Sequence, residues 1–210
     1  MAELNEAVRF ALAAAGKRQD LYRASFQLDA VLGTIALSAR EPLLAQIRMA
    51  WWRDQLMAPE AGLRAENPLV LSIAKAWGKD ASQLITLVDG WESLIDDRDS
   101  GEQFVTGRAD FGAAIAKALN CTEQVDVARK LARFWAFSDL TNYSPHPKVR
   151  EWALEHWKTE FKVSSKTSVE LRPLAILGGL ARRSLERGGT PMLGDRKSPF
   201  VAIRLWFTGK

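Results

Sequence analysis

Arg48-Met49-Ala50-Trp51-Trp52-Arg53-Asp54-Gln55-Leu56 is the stretch on which this chain turns. On a helix, Arg48, Trp51, Trp52 and Gln55 fall on one side, because side chains three and four apart are neighbours. The spacing predicts an aromatic wall with a guanidinium at its edge, suited to a cavity that holds an apolar molecule with an anionic end. The competing reading is a core helix whose two indoles fill space while Arg48 and Arg53 reach out to water.

Outward from this segment the helical period continues in both directions. It predicts helices near 3–16, 19–39, 42–57, 68–78, 81–97, 102–119, 123–142, 146–162, 172–187 and 198–208. Glu41-Pro42, Asn67-Pro68 and Ser198-Pro199 each put proline at a first turn behind a polar residue, which is how helices start. Asn120 followed by Glu123 reads as a cap for the seventh helix. Turns are expected at Gly78-Lys79-Asp80, Ser144-Pro145 and Gly188-Gly189-Thr190-Pro191, and a polar loop from Lys162 to Leu171. No alternating strand pattern and no repeat stand out. The fold class is all-α, a multi-helix bundle forming a single domain over 1–210.

At 210 residues the chain can bury a substantial core. Its 47% hydrophobic and 26% charged composition excludes a disordered protein. Cys121 has no partner for a disulfide, as in proteins of reducing compartments. Glu3, Glu6 and Arg9 interrupt the first segment, so a signal peptide is not expected. No uninterrupted apolar run reaches the length of a membrane span. These features predict a cytoplasmic protein, with a peripheral place at the inner membrane left open by its charge. The net charge of +4 divides into −5 over residues 1–128 and +9 over 129–210. A basic C-terminal half suits a lipid headgroup, a diphosphate or an acidic partner protein. Nothing resembles a nucleic-acid-binding motif.

The run Ile47 to Leu56 resembles a helix of the squalene/phytoene synthase family. Leu21-Tyr22-Arg23-Ala24-Ser25-Phe26 resembles the helix before that family's first aspartate-rich motif. Asp89-Gly90-Trp91-Glu92, Arg172-Pro173-Leu174 and Phe207-Thr208-Gly209-Lys210 resemble segments of its short bacterial members. Trp135-Ala136-Phe137-Ser138-Asp139-Leu140-Thr141-Asn142 resembles the helix that leads to the second motif. The resemblance implies an isoprenoid synthase bundle with a central apolar cavity. In working members two aspartate-rich motifs hold magnesium ions that grip prenyl diphosphates, because Mg²⁺ takes carboxylate and phosphate oxygens and neutralises the departing group.

Placed on that pattern, the first motif falls over Val31, Leu32, Gly33, Thr34 and Ile35, and Asp29 is the sole acid between Leu21 and Arg40. The second falls over His146, Pro147, Lys148, Val149 and Arg150, with no carboxylate from Leu140 through Arg150. Cations stand where metal ligands belong. Asp89, Glu92 and Asp96 recur along one side of the fifth predicted helix and are weak metal candidates. Neither His146 nor His156 joins a nucleophile or paired-ligand pattern.

Three functions follow from these residues. The first is a non-catalytic descendant that binds an isoprenoid, a lipid or a partner protein; a mitochondrial complex I assembly factor forms such a branch of the family. It needs no cofactor. The second is an active prenyltransferase on farnesyl or geranylgeranyl diphosphate with rearranged ligands, for which Mg²⁺ is the expected cofactor. There Arg53, Lys148 and Arg150 would hold the diphosphate. The third is a packed helical protein whose eight tryptophans fill its interior. Motif position and helix geometry place Tyr22, Asp29, Arg48, Trp51, Trp52 and Trp135 in the pocket.

Overall fold

A computed structural model describes residues 3–38, 40–58, 66–95, 101–159 and 167–209. Among them there is no strand. The helices are α1 (Glu6–Ala13), α2 (Gln19–Leu37), α3 (Pro42–Met57), α4 (Pro68–Trp77), α5 (Ile85–Glu92), α6 (Glu102–Ala118), α7 (Val125–Tyr143), α8 (Pro147–His156), α9 (Arg172–Glu186) and α10 (Ser198–Thr208). Proline occupies the first turn of α3, α4, α8, α9 and α10, where its missing N–H costs nothing. Asn67 caps α4 by accepting from the Leu69 and Val70 amides, and Asn5 caps α1 by accepting from Val8.

Two local expectations change. The fifth predicted helix begins as a 3-10 stretch, Gly78–Leu84, before α5 takes over. Asn120 does not start the seventh helix but ends the sixth. It is the one non-glycine residue with positive φ, 58°, among those described. Its amide donates to the Lys117 carbonyl and that of Cys121 to Ala116, a left-handed stop that asparagine tolerates. A 3-10 turn, Thr122–Gln124, then leads into α7.

The helix α7 lies at the centre, packed on α6, α8 and α9. In turn α6 packs on α5, α9 carries α1 and α10, and α2 rests on α4 and α5. Two glycines let α6 approach its neighbours closely. A Cβ on Gly107 would stand 2.3 Å from the Thr86 carbonyl oxygen, and one on Gly112 2.6 Å from that of Ala128. This tight seating sinks the next side chain along, Arg108, to 1% exposure. No described helix is long and apolar enough to cross a membrane.

Candidate functional site

The helices of the bundle turn apolar stripes inward, and three of those stripes bring charges together at one place. Asp29 comes from α2, Arg108 from α6 and Asp139 from α7. Isolated, each would cost several kcal/mol to bury; here they meet. Arg108 Nη2 donates to Asp29 Oδ1 at 2.6 Å and to Oδ2 at 2.9 Å. Its Nη1 donates to Asp139 Oδ2. Asp29 Oδ1 also accepts from the Trp91 indole N–H at 2.8 Å. The guanidinium lies 3.9 Å from the Trp135 ring centroid and 4.7 Å from that of Phe104, so aromatic faces carry part of the solvation it has lost.

Above this trio opens a cavity of about 340 Å³, at the small end of the range for ligand pockets. Phe26, Trp91, Leu94, Phe104 and Trp135 supply apolar wall, and Asp29 and Asp139 the polar floor. Exposed residues at its rim, among them Glu3 and Tyr143, mark the mouth. The Trp135 indole N–H leans towards the Asp139 carboxylate and favours its charge, but no full hydrogen bond among the described residues reaches Asp139 Oδ1, Trp135 Nε1 or Arg108 Nε. Buried polar groups are seldom left so, and a small rotation of the Trp135 ring would complete the bond to Asp139.

Burial pushes the Asp139 carboxyl up to about 6, against the pull of Arg108. Its folded pKa exceeds the unfolded one, so its contribution to stability is whole below about pH 4 and is lost as pH rises through 6. Two units correspond to roughly 3 kcal/mol. Asp139→Asn should therefore gain melting temperature over the parent as pH climbs from 4 to 7, and show a constant offset below 4. Thermal melts followed by circular dichroism check this; an offset that stays flat through pH 7 refutes it.

Of the residues expected in the pocket, Asp29 and Trp135 line this cavity. Tyr22 is fully buried beneath it, its hydroxyl donating to the Glu170 carbonyl at 2.8 Å and its ring packed on Phe26. The wall expected from Arg48, Trp51 and Trp52 is not assembled there. Buried positions on α3 are Ala45, Met49, Trp52 and Leu56. Consecutive side chains on a helix point about 100° apart, so burying Trp52 turns Trp51 outward, 42% exposed. Arg48 is exposed too. Trp52 instead borders a separate groove of about 490 Å³ with Val31, Ile35 and Pro68, which offers no charged group.

The anion candidates are engaged or remote. Arg53 donates to Asp89 at 2.6 and 2.8 Å and to Glu92. This pairing also takes up the two weak metal candidates; Asp96 lies outside the described residues. Arg150 donates to the Ser144 carbonyl at 2.7 Å, and Lys148 is exposed at the start of α8. The cavity does not fit a magnesium site. Arg108 already occupies the space between its two acids, and no described group of three His, Cys, Asp or Glu residues could hold a metal ion. In the basic C-terminal half, Arg183 and Arg187 pair with Asp195, Arg182 with Glu186 and Arg129 with Asp110, whereas Lys148, Lys158, Arg196, Lys197 and Arg204 are exposed.

Sequence reasoning missed Arg108 and Asp139. A signal existed: Phe104, Val105, Phe111 and Gly112 surround Arg108 at helical spacing, so an arginine in mid-stripe demanded a buried acid. Compared with protein-family models, curated proteins and solved structures, the chain matches none.

Proposed function

We propose that this protein is a non-catalytic binding scaffold of the squalene/phytoene synthase type, which takes one prenyl or acyl chain with an uncharged head into the cavity above Arg108. The observation that supports this is the guanidinium fixed between Asp29 and Asp139. A bound divalent ion would have to displace it, at the cost of the hydrogen bonds it makes to both acids. At neutral pH two acids outweigh one cation at the cavity floor, while Glu3 at the rim is offset by Arg9, 3.6 Å away. That field repels a diphosphate and favours a hydroxyl or amide that can donate to the carboxylates lining the cavity, Asp29 and Asp139. Volume argues the same way, since about 340 Å³ holds one short chain and not the two that head-to-head coupling requires. An assembly role alongside a partner protein is compatible with this scaffold.

Thermal shift and tryptophan fluorescence, read with farnesol, geranylgeraniol and their diphosphates with Mg²⁺, test the proposal. A ligand at a hundred times its Kd contributes about 2.7 kcal/mol, worth about 5–11 °C in a domain of this size. The alcohols should produce that shift, and the diphosphates should neither match it nor release diphosphate. Ala30→Phe, which fills the cavity from α2, should abolish the shift while leaving the unliganded melt within a degree or so. Release of diphosphate, or an alcohol shift that survives Ala30→Phe, overturns the proposal.

A further inference from the structure

The outer face of α3 is an unusual surface. Leu43 is 68% exposed, Leu44 51%, Ile47 57% and Trp51 42%. They recur at helical spacing down one stripe, directly opposite the buried Ala45, Met49, Trp52 and Leu56. Ala50 completes the stripe, and charges of opposite sign bound it: Arg40 at the helix entrance and Asp54 one turn beyond Trp51, both exposed. Neither charge has an ion-pair partner among the described residues. No α3 residue lines the cavity above Arg108.

We infer that this stripe is the contact between two copies of the chain, laid antiparallel about a two-fold axis at Ile47. The sequence is self-complementary in that arrangement. In an antiparallel pair centred on residue 47, positions whose numbers sum to 94 share one height along the axis. Ile47 then meets its own copy. Leu43 falls level with Trp51 of the second copy, so the two interdigitate. Leu44 falls level with Ala50, a large side chain against a small one, which lets the helices close to the usual 8–10 Å. Arg40, just ahead of the first turn, stands at the end of the contact that Asp54 of the second copy reaches, so opposite charges meet at each end. A two-fold interface repeats every such contact twice.

The mixed charge selects this occupant. A helix that lies on an anionic membrane carries an excess of cations beside its apolar face, whereas here the exposed Arg40 and Arg48 are balanced by the exposed Glu41 and Asp54. The 16-residue helix is about 24 Å long and its apolar stripe, Leu43 to Trp51, takes up about 12 Å of it, which places the contact at the small, reversible end of protein interfaces.

Sedimentation of the full chain over roughly 1–200 µM tests the inference. The mass should rise from 23.4 kDa towards twice that value, with a midpoint in the micromolar range. Ile47→Arg should leave a monomer throughout, with unchanged far-ultraviolet circular dichroism because the site is exposed. Arg40→Asp alone and Asp54→Arg alone should each raise the midpoint tenfold or more. The double variant carrying both should return it to within a few-fold of the parent. A parent that stays monomeric over the whole range, a dimer that survives Ile47→Arg, or a double variant that stays as weak as the singles, each overturns the inference. None of these results depends on whether the cavity binds a prenyl alcohol.

Discussion

Arg108→Met lowers the unfolding free energy by about 3–5 kcal/mol, the cost of leaving buried acids without their cation. Urea unfolding at neutral pH measures it. Methionine fills most of the slot between Trp135 and Phe104, so the loss reports the charge and not a void. A second variant separates the two directly. Arg108→Met combined with Asp139→Leu and Asp29→Asn removes the charges together and keeps an acceptor for the Trp91 indole N–H. It should recover most of the lost stability, since apolar replacement of a whole buried ionic group is often neutral or better. Arg108→Lys should fall between, because an ammonium keeps the charge but loses the fork that spans both carboxylates. A single-variant loss under about 1 kcal/mol would mean that water reaches the trio and that the cavity floor is not dry.

The second large effect separates two neighbours. Trp52→Ala should cost about 3–5 kcal/mol, as expected when a buried indole leaves a hole, because Trp52 packs beside Leu56, Val70 and Ile73 at 4% exposure. Trp51→Ala should cost about 1 kcal/mol or less, mainly its edge-to-face contact with Trp52, centroids 4.9 Å apart. Equal losses in the same urea experiment would contradict the orientation of α3. Beyond stability the order reverses, for Trp51 belongs to the stripe assigned to self-association.

What the sequence made legible was everything local. Prolines at Pro42, Pro68 and Pro199 marked helix starts because a missing N–H and a preset φ act on the residue that bears them. Asn67 capped α4 as its place before Pro68 required. Asn120 was misjudged because asparagine serves two local roles, side-chain acceptor at a helix start and left-handed residue at a helix stop, and the choice rests on φ. The aromatic pair was grouped on one side because residues three and four apart were counted without asking which of two adjacent tryptophans the core takes; burial of Met49 and Leu56 decided for Trp52. Of the cavity floor, Asp29 was visible as the sole acid between Leu21 and Arg40. Its partners were not, since Arg108 lies 79 residues away and Asp139 a further 31, and only folding brings such groups together.

The bridge between Asp29, Arg108 and Asp139 also sets how this chain can drift. Loss of the arginine strands two acids, and loss of Asp29 also strands the Trp91 indole N–H, so either first step carries a fitness penalty; Asp139, whose charge burial opposes, is the one that can change first. The order of substitution is therefore constrained, and a descendant without the arginine should already have lost Asp139.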